Sequence, residues 1–277
     1  MEKIIEFTKM HGLGNDYIYI NMTNKQKNNI EENELPKIAR FLSNRHFGIG
    51  GDGIILIEKS EIADFKMRIF NSDGTEAEMC GNGIRCFAKY IYENGLTKKE
   101  NLKIETLAGI KEIKLIKNDK NKIEKIEVNM GIPKIEEKIR LKILDKEFEI
   151  TNISMGNPHA VIFVDDVEKV DLEKYGSAIE NNKYFPNRTN VEFVEILDKN
   201  LVKMRVWERG AKETYACGTG ACAVVVAGYI NNLNKRKVKV LLKGGELEIN
   251  WKEKTNEIYM TGIATEVFKG KIKVTIN

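Results

Sequence analysis

The sequence predicts an α+β fold dominated by antiparallel strands and organised as two similarly built domains, on three observations. Short apolar runs with period-two alternation or high β-branched content recur from end to end. Helical patterns are fewer, at 34–45, 82–94, 171–182 and 219–231. A Cys-Gly-x-Gly turn that opens a helix occurs twice, at Cys80 and Cys217, with a Gly-Asn pair and a strand upstream of each.

In chain order, IIEF (4–7) and YIYI (17–20) are strands of branched and aromatic residues. The helix at 34–45 carries Pro36 in its first turn, where a missing N–H is tolerated. IILIE (54–58) and FKMRIF (65–70) are strands again. In the helix at 82–94, Ile84, Phe87, Ala88 and Ile91 fall at i, i+3, i+4 and i+7 and make one apolar face. LKIETL (102–107), IKEIKLI (110–116), IEKIEV (123–128), AVIFV (160–164), VEFVEI (191–196) and VKMRVW (202–207) follow as strands, with a helix at 171–182 among them. CGTGACAVVVAGYI is apolar nearly all round and must be buried on most sides, as a helix wrapped by a sheet would be. VKVLL (238–242) and ELEINW (246–251) form a hairpin about Gly244-Gly245, before IYMTGI (258–263) and KIKVTI (271–276).

A chain of 277 residues makes one large or two ordinary domains. The expected division is 1–126, completed by the C-terminal strand 267–277, and 127–266. With 42% hydrophobic and 31% charged residues and only 4 prolines, the composition excludes disorder. The longest weakly polar stretch, Ala216 to Ile230, is shorter than the roughly 20 residues of a membrane span. The N-terminus lacks the apolar core of a secretory signal, so the expected address is cytoplasmic, with no membrane partner. A net charge of +4 from 45 basic and 41 acidic residues argues against nucleic acid, and the Lys-rich stretches read as solvated surface. Four cysteines are too few for a disulfide scaffold, so their role should be chemical.

Cys80 and Cys217 each stand beside a helix N-terminus, where unpaired N–H groups and the helix dipole stabilise an anion and lower a thiol pKa. Both are candidate bases, and the adjoining glycines let a substrate carboxylate approach the same amides. Cys86 and Cys222 read as buried hydrophobes. Spacings of five or six residues on a helix point partners apart, so neither Cys80 with Cys86 nor Cys217 with Cys222 is read as a zinc pair, and no metal is expected. Gly48-Ile49-Gly50-Gly51-Asp52-Gly53 follows a helix and precedes a strand, the reverse of a dinucleotide site, and is a loop. Of the three histidines, His11, His46 and His159, only His159 adjoins a Gly-Asn turn.

Four blocks, KMHGLGNDYIYI (9–20), NSDGTEAEMCGNGIRCFAKY (71–90), MGNPHAV (155–161) and ERGAKETYACGTGACA (208–223), resemble the signature blocks of the diaminopimelate epimerases, in order and spacing over essentially the whole chain. The resemblance implies two pseudo-symmetric domains, each a mainly antiparallel sheet rolled around a central helix, with the active site between them. It implies a cofactor-independent epimerase acting on LL- and meso-2,6-diaminopimelate, a homodimer, with Cys80 and Cys217 as the catalytic residues. Amides of Gly81, Asn82, Gly218 and Thr219 would hold the substrate carboxylate as it gains enolate charge. By the same resemblance Asn15, Asn71, Asn157 and Asn190 bind substrate, Glu208 and Arg209 take its distal ammonium and carboxylate, and His159 with Glu208 tunes the thiols. One departure stands out: Gly53 occupies a place where many relatives carry Gln, and the glycine-rich loop suggests left-handed backbone there. Two rivals share parts of this pattern: a proline racemase or hydroxyproline epimerase, which the Glu208-Arg209 pair and the asparagines disfavour, and a thiol-based metal-binding or redox module without turnover.

Overall fold

A computed structural model describes residues 2–24 and 28–275 and divides the chain into two units, one running to Val128 and resumed from Ile263, the other spanning Asn129–Gly262. The first unit holds β1 (Glu2–Gly12), β2 (Asn15–Asn21), α1 (Leu35–Ser43), β3 (Gly53–Glu58), β4 (Phe65–Asn71), β5 (Glu76–Ala77), α2 (Gly81–Glu93), β6 (Asn101–Thr106), β7 (Gly109–Lys117) and most of β8 (Ile123–Gly131). The second holds β9 (Lys134–Ile143), β10 (Lys146–Ser154), β11 (Pro158–Phe163), α3 (Leu172–Glu180), β12 (Asn190–Asp198), β13 (Leu201–Glu208), β14 (Lys212–Glu213), α4 (Gly218–Ile230), β15 (Lys237–Leu242), β16 (Gly245–Trp251) and β17 (Ile258–Gly262). The last strand, β18 (Thr265–Thr275), returns to the first unit and pairs antiparallel with β1.

Each unit repeats one plan. In the first, strands neighbour one another as β18-β1-β2-β3-β4-β6-β7-β8, antiparallel except at β2/β3 and β4/β6. In the second the order is β9-β10-β11-β12-β13-β15-β16-β17, antiparallel except at β11/β12 and β13/β15. The parallel pairs fall at equivalent places, which is the structural content of the sequence repeat.

A helix lies inside each sheet. Strands from opposite ends of the order, β1, β2, β3 and β7, all pack on α2, so the sheet curls around it, and 10 of its 13 residues are buried. Its expected apolar face is fully buried, and so is Arg85, whose guanidinium donates to Gly81 O (3.1 Å), Asn82 Oδ1 (2.8 Å) and Ile263 O (3.2 Å). A buried charge needs such matching because its lost hydration is otherwise uncompensated. In the second unit β10, β11, β12, β15, β16 and β17 surround α4, again with 10 of 13 residues buried. The all-round apolar pattern therefore meant what it suggested.

The other two helices cover the outer faces. Leu35, Ile38, Ala39 and Leu42 of α1 pack on Ile18, Ile20, Ile54 and Leu56. Leu172, Tyr175 and Ile179 of α3 pack on Phe193 and Trp207. Each such aliphatic side chain contributes roughly 1.5–3 kcal/mol by leaving water.

Two expectations need correction. β9 and β10 were not foreseen, because KIEEKIRLKI alternates charge with apolar residues on a strand that is mostly exposed. The hairpin turn is Lys243-Gly244, since Gly245 already pairs with Leu242. The final strand is described as far as Thr275, and the expected residues 276–277 lie outside the described part.

Candidate active site

Cys80 is the N-cap of α2, with an extended backbone (φ −138°, ψ 116°). Its Sγ accepts from the Gly83 amide at 3.3 Å and its carbonyl from Ile84 at 2.9 Å. Gly81 and Asn82 follow Cys80 in the first turn of α2. A Cβ on Gly83 would lie 2.7 Å from Ile55 Cδ1 and 3.3 Å from Cys80 Cβ, so the end of the isoleucine would have to shift. The thiol donates to Asn15 Oδ1 at 3.2 Å. Asn15 follows Gly14, whose φ of 87° only glycine adopts freely.

Asn15 is itself held from behind. Its Nδ2 donates to Asp52 Oδ2 at 2.7 Å, and the Asp16 amide donates to the same oxygen at 3.0 Å. Arg45 grips Asp52 (3.0 Å) and Asp16 (2.7 Å), and Lys9 pairs with Asp16 at 2.6 Å. Burial raises the Asp52 carboxyl above its usual range, helped by the charge of Asp16. Burial pushes Asp16 the same way, but hydrogen bonds from Arg45 and Lys9 outweigh it and leave that group lowered. Asn71, at the end of β4, donates through Nδ2 to Thr75 Oγ1 at 3.1 Å.

Gly53 corrects the expectation of a left-handed loop residue. Gly50 has positive φ (82°), but Gly53 belongs to β3, between Tyr17 and Asn71 in register. It must be glycine because a Cβ would stand 2.2 Å from the Phe70 carbonyl oxygen.

Cys217 repeats the arrangement in the second unit. It is the extended N-cap of α4 (φ −111°, ψ 111°), its Sγ accepts from the Gly220 amide at 3.3 Å, and Thr219 Oγ1 lies at 3.5 Å. Asn157, after Gly156 (φ 95°), donates to Thr219 Oγ1 at 3.3 Å. Its Oδ1 meets His159 Nε2 at 3.1 Å, and His159 Nδ1 meets Glu192 Oε1 at 2.7 Å. Asn190 donates to Pro158 O (2.9 Å) and accepts from the Arg209 amide (3.0 Å). Glu208 accepts from the Thr214 hydroxyl.

The protonation expectation for this thiol is corrected too. Burial, and then the charges of Glu208 and Glu192, push Cys217 well above the usual thiol range, and the Gly220 amide and Thr219 hydroxyl offset only part of that. The helix N-terminus does act on the sulfur, but desolvation wins. Glu208 is likewise raised, chiefly by burial, with Thr214 opposing. Cys86 and Cys222 are fully buried, and burial lifts Cys86 to about 11, in keeping with inert packing.

Arg209 is exposed, with Nη1 donating to Asn187 O at 3.2 Å, and shares a cavity of about 1070 Å³ with His159, Pro158 and Lys134. Glu192 escaped sequence reasoning, since VEFVEI reads as ordinary alternation although Val191 to Glu195 are all buried or partly so. Its oxygen, a His159 nitrogen and the Cys217 sulfur lie within 4.8 Å of one another, a nitrogen, oxygen and sulfur set of the kind that zinc accepts. Chemically, each half combines a thiol with amides suited to a carboxylate, the equipment for moving a proton next to a carboxylate.

The diaminopimelate epimerase family profile matches residues 7–136 and 151–267. A diaminopimelate epimerase of Acetivibrio thermocellus is 51% identical, the match covering 97% of this chain and 98% of that one, and one of Methanococcus maripaludis is 51% identical over 98% and 100%. Among solved structures, a phenazine biosynthesis protein of the PhzF family from Bacillus anthracis (TM-score 0.76, 20% identity) covers 99% of this chain and 100% of its own. A probable proline racemase from Agrobacterium radiobacter (TM-score 0.71, 15% identity) covers 99% and 93%. At such identities these structures share the fold. Among the described residues no helix is long and apolar enough to cross a membrane.

Proposed function

From the premise that the chain belongs to the diaminopimelate epimerase family, we propose that it interconverts LL- and meso-2,6-diaminopimelate by proton exchange at one α-carbon, in lysine and peptidoglycan precursor synthesis. The observation that carries the mechanism is the duplicated helix start: two cysteines, each an N-cap bonded to the amide of the third helical residue. Inversion needs a base on one face of the carbon and an acid on the other, so Cys80 and Cys217 take these roles and exchange them in the reverse direction. Cys217, held up by burial and by two carboxylates, is the proton-bearing partner before substrate arrives.

Amides of Gly81, Asn82, Gly218 and Thr219 stabilise the carboxylate as it becomes an enediolate, so no cofactor is needed as an electron sink. Asn15 and Asn157, seated beside the two helix starts, and Asn71 and Asn190 orient the substrate. Arg209 receives the distal carboxylate and Glu208 the distal ammonium, while His159 and Glu208 tune Cys217. The same reading gives a cytoplasmic homodimer whose partner is a small molecule, with no role for nucleic acid or membrane.

The test is incubation of purified protein with LL-diaminopimelate in D2O, without added cofactor, followed by chiral separation and mass spectrometry. Meso product carrying one solvent deuterium at the α-carbon is expected. Unchanged substrate, or turnover of proline instead, would overturn the assignment.

A further inference from the structure

Beyond its charge near Cys217, Glu192 has no part in the chemistry assigned so far, yet it is among the least accessible acids of the described residues. Its side chain and that of His159 have 0% exposure. Oε1 lies 2.7 Å from His159 Nδ1, while Oε2 is buried with no hydrogen-bond partner. A carboxylate in that state is strongly disfavoured unless something nearby uses it.

The helix start is shaped around this carboxylate. A Cβ on Gly220 would lie 2.6 Å from Glu192 Oε1 and 3.2 Å from Cys217 Sγ. The glycine that donates its amide to the thiol is therefore also the residue that makes room for the acid. The titratable groups facing the thiol are Glu208 from β13, Glu192 from β12 and His159 from β11, beside the Thr219 hydroxyl.

We propose that Glu192 is a positioning residue for the Cys217 half of the reaction: it accepts a hydrogen bond from His159 Nδ1–H, turns the Nε2 edge toward Asn157, and holds a fixed negative charge behind the thiol. The inference rests on the acid and base role given to Cys217 above. A ring nitrogen tied to a carboxylate is locked in orientation, as outer partners do for metal-bound histidines, and the other ring nitrogen then faces Asn157 Oδ1, an acceptor to which it can bond only as a donor. The fixed charge favours the proton-bearing form of Cys217 while the site is empty. Asn157 links the ring to Thr219 and so to the helix start that would receive the substrate carboxylate.

Glu192→Gln tests this, because it keeps the volume and an acceptor for Nδ1–H but removes the charge. Alkylation by iodoacetamide is followed against pH, resolved peptide by peptide, with Cys80 as the internal reference. The Cys217 midpoint should fall by about one pH unit, the Cys80 profile should stay in place, and kcat/KM should drop at least about tenfold at unchanged Tm. An unmoved Cys217 midpoint overturns the proposal. The alkylation needs no substrate, so it separates failure of this inference from failure of the epimerase reading. Should the variant not fold, ring N–H signals of the wild-type protein decide, since the chain has only 3 histidines. One ring proton, on His159, should be strongly downfield and protected from exchange; its absence overturns the dyad.

Discussion

The two helix starts share one backbone, down to the glycine amide that donates to each sulfur, and differ in the side chains around it. Cys80 faces an amide, Asn15, backed by two acids and two bases, Asp16, Asp52, Lys9 and Arg45, whose charges balance. Cys217 faces two carboxylates, Glu192 and Glu208, and one histidine, all of them buried or half-buried. The N-cap geometry supplies the anion-binding amides in both, so backbone alone does not decide which thiol carries the proton. The surrounding side chains do, and around Cys217 burial and the two carboxylates favour the proton-bearing thiol.

The comparison can be broken most directly by removing each sulfur in turn. Cys80→Ala and Cys217→Ala should each lower kcat by about 10²–10⁴ or more while leaving far-UV circular dichroism unchanged. Near wild-type turnover in one of them would show that the two halves are not partners. Arg209→Lys should lower kcat/KM about tenfold, roughly 1.4 kcal/mol of transition-state binding, because an ammonium cannot reproduce a bidentate fork. An unchanged value would return Arg209 to the solvent surface.

Paired glycine variants sharpen the contrast. Gly220→Ala drives a methyl against a buried carboxylate oxygen at 2.6 Å, whereas Gly83→Ala meets the end of a flexible isoleucine at 2.7 Å. The first should lose several-fold more kcat than the second, and equal losses would mean that the carboxylate is as pliable as Ile55. Glu208→Gln separates stability from activity. Burial raises the folded-state pKa of Glu208, so the folded form holds the proton more tightly. Stability therefore falls as pH rises from the ordinary glutamate value, about 4.3, through the raised one. Above that window the Gln variant should melt about 2–4 °C higher and turn over more slowly; a lower Tm at pH 8 would contradict the sign. The smallest effect is expected from chelation: dialysis against EDTA should leave kcat unchanged, and a loss restored by zinc would convert His159, Glu192 and Cys217 into a metal site.

What the sequence made legible is what short motifs can encode. Cys80 and Cys217 announced themselves because a cap, its glycines and its upstream Gly-Asn turn are local and occur twice. The buried helix α4 was readable from fourteen residues with no polar face. Glu192 was not, because a strand buried on both faces looks like an alternating one when its inward acid follows valine. The brace behind Asn15 was hidden for another reason: Lys9, Asp16, Arg45 and Asp52 come from separate segments that only β1, β2 and the loop before β3 bring together. The sequence explained Gly53 wrongly, since its constraint is the approach of Phe70 across the sheet and not a turn.

The enclosure of α4 has a consequence for how damage to this protein should show itself. With strands on every side, the amides of that helix can exchange with solvent only when the second unit opens as a whole, so they should be among the slowest in hydrogen exchange. The residues that would grip a carboxylate sit at the end of this slowest segment. A core substitution far from the site, such as Val240→Ala, would then reduce the number of competent molecules without blunting those that remain folded: KM would hold while yield and heat tolerance fell.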